Sequence, residues 1–156
     1  IDYDVIFKHS DKLNIWGAIR HDVKTIYIFE ENMDAKKYVS ILKDNFLDIY
    51  DKNNFLLCDN DPKHTSKKAT SFLKKHKIKT IDFPPYSPDL NPIENIWGIL
   101  KAKLEKRKKE LVGNFEDIII QERNNISNIV INKTINTIEK YITKIIARNG
   151  GYIDHQ

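Results

Sequence analysis

Residues 55–83 read FLLCDNDPKHTSKKATSFLKKHKIKTIDF, and this stretch sets the fold class. Phe55-Leu56-Leu57-Cys58 is a continuous apolar run closed by Asp59, the pattern of a strand buried on both faces. Asn60, Asp61 and Pro62 supply turn chemistry. A helix is expected from near Thr65, with Ala69, Phe72, Leu73 and His76 at helical spacing. Ile78 to Phe83 reads as a second short strand, stopped by Pro84-Pro85. Strand, helix, strand in that order is the unit of an α/β domain.

Upstream, Leu13 to Arg20 (LNIWGAIR) and Thr25 to Phe29 (TIYIF) read as the first two strands, a hairpin joined through His21-Asp22-Val23-Lys24. A helix follows Asp34, a good N-cap, with Ala35, Tyr38, Val39, Leu42, Phe46 and Ile49 on one face. Downstream lies the clearest helix start in the chain. Asn91 caps, Pro92 takes the first helical position, Glu94 the third, and Ile93, Ile96, Trp97, Leu100 and Leu104 form an apolar stripe. From Asn114 two more helices are expected. The second carries Ile131, Ile135, Ile138, Ile142 and Ile145, with Gly150-Gly151 ending it. The order is β-β-α-β-α-β-α-α-α: an α/β fold with helices flanking a small mixed sheet. Residues 1–156 form one domain, and the helices of about 114–150 belong to it.

Composition agrees. The 156 residues fit a single domain, with 40% hydrophobic and 31% charged residues, which excludes wholesale disorder. One cysteine, Cys58, excludes a disulfide framework and a multi-cysteine zinc site, and the five histidines show no ligand spacing. There is no Gly-rich phosphate loop, no apolar run long enough to span a membrane, and no signal peptide. The expected setting is inside the cell, nuclear in a eukaryote and cytoplasmic otherwise, and not secreted. The chain opens at Ile1 without methionine, as a cut chain would.

Two carboxylates stand out. Asp59 ends a buried strand, where α/β sheets gather their ligands, although Asp59 and Asp61 also suit a turn. Glu94 suits a capping box, yet it sits beside the apolar stripe and should face the sheet edge, where it could meet Asp59. Two carboxylates there would give a divalent ion the hard oxygen ligands it needs, and a metal pair would hold both oxygens of a phosphodiester displacement. Basic runs flank both positions. Seven lysines and no acid lie between Lys63 and Lys79, and six basic residues accompany the single Glu105 between Lys101 and Lys109. Such runs are often solvated helix faces, but they also neutralise phosphates. Lys63, His64, Lys67, Lys68, Lys101 and Lys103 are the candidate nucleic-acid contacts. The net charge of +4 permits a polyanionic partner.

The stretches CDNDPKHT (58–65) and SPDLNPIENIWG (87–98) resemble the catalytic core of Tc/mariner-superfamily transposases. Asp59 and Glu94 are separated by 34 residues, the interval typical of the branch that ends its triad in Glu. The likeness continues through IWGAI (15–19) and Tyr38 to Leu42, and reaches Gly150-Gly151-Tyr152, so it covers nearly all of the chain. It implies an RNase H-like fold and a D-D-E triad binding two Mg²⁺ ions, with Mn²⁺ as a substitute. It implies cleavage and transfer of DNA strands, with water or a 3′-hydroxyl attacking and no covalent enzyme intermediate. Asp59 matches the second acidic residue and Glu94 the third.

The family's first Asp lies on a strand ahead of the Trp-Gly strand, and no matching strand is recognised, so the first strand is expected to be missing and the beta sheet left with an open central edge. Asp2 and Asp4 fall where the family has a linker. The family's helix-turn-helix region is not seen either, and Thr137 to Tyr141 departs from its Ser-Met-Pro-Arg-Arg stretch. The partners implied are transposon ends and target DNA, with a homo-oligomer allowed and no membrane or small-molecule cofactor. The expectation is therefore a transposase catalytic domain that is inactive as this chain stands. The alternative is a decayed or domesticated derivative, a DNA-binding or interaction module without catalysis.

Overall fold

The structure, a computed structural model, describes residues 3–8, 12–58, 61–81 and 91–147; side chains are described from residue 13 onward, apart from those of 142, 145 and 146. Tyr3–Lys8 (β1), Lys12–Arg20 (β2) and Val23–Phe29 (β3) form an antiparallel meander. Tyr3 stands opposite Gly17 and Lys8 opposite Lys12; Asn14 pairs with Phe29 and Arg20 with Val23. The β2–β3 turn places Asp22 at φ 62, a left-handed position that Asp tolerates better than most residues.

Asp34 caps helix Ala35–Ile41 (α1), its Oδ1 accepting the Lys37 N–H at 2.7 Å. The helix continues as a wider π turn over Leu42–Phe46. Leu56–Leu57 (β4) leads to the short helix Pro62–Thr65 (α2), then Lys67–Lys75 (α3), then Thr80–Ile81 (β5). β4 and β5 pair in parallel, Leu56 with Thr80 and Leu57 with Ile81. Pro92–Lys106 (α4), a 3-10 turn at Lys108–Glu110, Phe115–Asn125 (α5) and Asn128–Ala147 (α6) complete the chain.

The alternation along β2 sorts the core into two layers. Ile15 and Ile19 join Ile93, Ile96, Trp97, Leu100 and Leu104 of α4, Ile118 and Ile119 of α5, and Ile131 and Ile135 of α6. Trp16 and Ala18 pack instead with Tyr38, Ile41 and Leu42, with Ala69 and Leu73 of α3, and with Leu56. Helices therefore cover both faces, α4–α6 on one and α1 and α3 on the other. No described helix is long and apolar enough to cross a membrane.

The structure adds detail to three expectations. A strand, β1, precedes the Trp-Gly strand where the family has a linker, and it pairs with β2 over Lys12 to Gly17. The expected mixture of antiparallel and parallel pairing is divided, among the described strands, between a three-stranded antiparallel ladder and a two-stranded parallel one. The helix expected from Thr65 is two helices, because the Ser66 side chain caps anew and accepts the Ala69 N–H at 3.2 Å. Ile131, Ile135 and Ile138 are buried as the pattern required, while the side chains of Ile142 and Ile145 lie outside the described set.

Candidate active site

Helix α4 carries the one candidate carboxylate that the structure describes. Asn91 is buried and its Oδ1 accepts the Ile93 N–H at 3.3 Å, while the Glu94 N–H donates to the Asn91 carbonyl at 3.1 Å. Pro92 occupies the first turn, where its missing N–H costs nothing. The reciprocal half of a capping box is not formed. The half-buried Glu94 carboxylate has no hydrogen bond or ion pair among the described residues, and the positive end of α4 favours its charge.

What fixes α4 against the sheet is a glycine. A Cβ at Gly17 would stand 2.8 Å from Trp97 Cη2 and 2.9 Å from Cζ2, so the indole lies directly on the backbone of β2. Trp97 is one turn beyond Glu94, and with Ile93 and Leu100 it is fully buried. The position of Glu94 is thus set by packing rather than by its own bonds.

Asp59 lies outside the described residues, between Cys58 at the end of β4 and Asp61, whose side chain caps α2. Among the described residues no three His, Cys, Asp or Glu side chains gather to hold a metal.

The basic candidates separate. On α4, Gly98 and Lys101 share Glu94's stripe at intervals of four and seven residues, and both are exposed. A Cβ at Gly98 would meet nothing within 4 Å among the described residues, so α4 is open at that position. Lys101 stands about 10 Å along the axis from Glu94. Lys103 faces elsewhere: it lies 3.8 Å from Glu122, which also accepts from Arg107 at 2.9 Å. Arg107 also donates to Glu110 at 2.8 Å. Hydrogen bonds from Glu110 first and Glu122 second hold the guanidinium well above its usual pKa, and the Glu110 carboxyl is lowered in return. Lys103 and Arg107 therefore tie α4 to α5.

Lys63 Nζ lies 2.9 Å from its neighbour Asp61. His64, a candidate phosphate contact by its sequence position, is 4% exposed, and its ring packs 4.6 Å from that of Tyr38. His76, expected to be half-buried, is exposed at the end of α3 with its ring 4.4 Å from Phe72. Lys67 and Lys68 are exposed at the start of α3. Sequence reasoning passed over Lys36, which the fold brings beside them.

Two cavities separate β2 from β4. One of about 320 Å³ is lined by Ile19, Arg20, Phe55, Leu57 and Pro92 among others, and one of about 40 Å³ by Ala18, Phe46 and Leu56 among others. Among the described residues β1 pairs with β2 as far as Gly17, and Ala18, Ile19 and Arg20 line these cavities.

A family model described as a DDE superfamily endonuclease matches residues 4–119. The chain is 28% identical over 148 residues to the Tc3 transposase of Caenorhabditis elegans, covering 90% of this chain and 45% of that protein. It is 34% identical over 96 residues to the Tc1 transposase of the same organism, covering 59% of this chain and 34% of that one. It thus spans less than half the length of these relatives. In structure it resembles the catalytic domain of Mos1 mariner transposase with a TM-score of 0.65 at 16% identity, covering 99% of this chain and 82% of that one. That likeness carries the fold, which is RNase H-like.

Proposed function

This chain belongs to the DDE superfamily endonucleases, and from that membership we propose that it is the catalytic domain of a Tc/mariner-type transposase, acting on the phosphodiester bonds of DNA. The observation that carries the proposal is the Glu94 carboxylate, which has no partner among the described residues and is set at the start of α4 by the Gly17–Trp97 contact. The kinship to Tc3 over nine-tenths of the chain supports it.

Glu94 fits a divalent ion by its chemistry: a hard oxygen donor with no competing partner among the described residues. The Mos1 catalytic domain has been solved with Mn and with Mg. Under this reading Glu94 and Asp59 hold the metal, and such ions, when bound, stabilise the attacking and leaving oxygens of the displacement. The chain's own residues do the rest. The buried Trp97 and Ile93 keep Glu94 in place, and the first turn of α4 stabilises its negative charge. Lys101, exposed two turns on, meets a DNA phosphate.

Two carboxylates cannot neutralise two divalent ions, which leaves the chain as it stands without cleavage activity. A third carboxylate, carried on a segment upstream, would complete the set.

The test is a Mg²⁺-dependent plasmid-nicking assay on the 156-residue chain beside a form extended upstream. The extended form should nick, and Glu94→Gln should lower its rate by a factor on the order of 100 to 1,000, as loss of several kcal/mol of transition-state stabilisation requires. Robust cleavage by the short chain, lost on Asp59→Ala, would overturn the inactivity and turn attention to Asp2 or Asp4. No nicking by either form, with DNA binding intact, would mark a non-catalytic derivative.

A further inference from the structure

Helices α1 and α3 lie side by side on the face of the sheet away from α4, and an open groove of about 580 Å³ is lined by Lys36, Val39, Lys67, Lys68 and Ser71. No acidic residue lines it among the described residues. Val39 and the lysine methylenes supply an apolar wall, and three ammonium groups supply the charge.

These three lysines differ from their neighbours. Lys37, next along α1, is held by Glu31 at 3.1 Å and lies over the rings of Tyr27 and Phe29. Lys63 is held by Asp61. Lys36, Lys67 and Lys68 are exposed and have no ion-pair partner among the described residues. Their placement does not serve the helices. They stand in the first turns of α1 and α3, where Asp34 caps α1 but neither first turn has an acidic residue of its own, and a cation in that position is disfavoured by the helix dipole. α5, by contrast, opens with Glu116 and Asp117. Three like charges gathered on one groove favour a polyanion there.

We propose that this groove is a second DNA-binding surface, seating the phosphate backbone of a duplex on the α1–α3 layer, across the sheet from α4, which carries Glu94. The choice of DNA over an acidic protein rests on the transposase reading. Lysine ammoniums on a groove without base-reading groups neutralise phosphates regardless of sequence. Two surfaces on opposite layers would let one domain hold two duplex segments at once.

The test uses the 156-residue chain and a labelled duplex of unrelated sequence, with binding followed by fluorescence anisotropy between about 50 and 200 mM salt. The triple variant Lys36→Ala/Lys67→Ala/Lys68→Ala is set beside a charge-matched control, Lys52→Ala/Lys133→Ala/Lys140→Ala, all exposed. The groove variant should flatten the plot of log affinity against log salt by about 2 to 3, at about 0.9 for each phosphate that is no longer neutralised. The control should keep the slope of the unaltered chain. An unchanged slope in the groove variant, or equal flattening in both, overturns the proposal. Polyglutamate that binds the chain and depends on the same three lysines as strongly as the duplex does would assign the groove to an acidic protein instead. The Glu94→Gln nicking comparison reports separately on catalysis: a groove result with no Glu94 dependence would retire the transposase reading and leave the DNA surface standing, and the reverse would do the opposite.

Discussion

Gly17→Ala tests the packing that places Glu94. The added methyl would stand 2.8 and 2.9 Å from two atoms of the Trp97 ring and 3.3 Å from the Thr25 carbonyl oxygen. Carbon atoms rest about 3.5–4.0 Å apart, so the ring must retreat by roughly 0.7–1 Å. Trp97 is 2% exposed and belongs to the same buried cluster as Ile93, Ile96 and Leu100, so its ring cannot retreat into solvent. The displacement therefore passes to α4 or to β2. Overpacking of this kind costs about 1–3 kcal/mol, offset by about 0.5–1 kcal/mol gained when a glycine leaves a strand. A net loss of about 1–2 kcal/mol should lower the melting temperature by roughly 2–8 °C in a domain of this size. The crowded atoms belong to the outer ring of the indole, which a phenyl ring lacks. In the Trp97→Phe background Gly17→Ala should accordingly be neutral or stabilising, a coupling of about 1–2 kcal/mol in a double-mutant cycle followed by thermal melting. Equal cost in both backgrounds would refute the contact as the determinant of α4's position.

Two further outcomes follow from the ends of α4. Asn91→Ala removes the side-chain acceptor of the Ile93 N–H and should cost about 1 kcal/mol in a urea melt, whereas Asn91→Ser should recover most of it; equal loss from both would show that the cap is not what Asn91 provides. At the other end, Arg107 holds the Glu110 carboxyl below its usual range, so the contribution of Glu110 is fully present above the ordinary carboxylate pKa and is lost as pH falls through the lowered one. Arg107→Ala should return the Glu110 titration, read by carbon NMR, upward to the ordinary range; a midpoint that stays low would mean that another group lowers it.

Much of this fold is legible locally. The Asp34, Ser66 and Asn91 side chains each accept a backbone N–H at a helix start, and two of those starts are readable from cap residues alone. Ser66 is harder, because Pro62 to Thr65 looks like the first turn of the helix it precedes. β1 is legible too. Tyr3, Val5, Ile6 and Phe7 are strand formers, and His9-Ser10-Asp11 is a polar connection to β2, yet the likeness to a family linker argues against a strand there. Pairing with β2 decides the matter, since a hairpin partner satisfies backbone groups that an isolated segment leaves to water.

The candidate site is legible in kind but not in arrangement. Helical spacing puts Glu94, Gly98 and Lys101 on one stripe and sends Lys103 two residues, about 200°, away from Lys101, so the sequence alone can separate those two lysines. It cannot show that Lys103 and Arg107 meet Glu122, because that carboxylate comes from a later helix and reaches them only once α5 packs on α4. The same holds for Lys36. Nothing in residues 35–41 distinguishes it from Lys37, and the distinction arises when Glu31 and the Tyr27 and Phe29 rings take one ammonium and the α1–α3 groove receives the other. Charge runs become surfaces only through the partners that the fold assigns. In this chain it assigns carboxylates to Lys37, Lys63, Lys103 and Arg107 and brings Lys36, Lys67 and Lys68, all exposed, to one groove between α1 and α3.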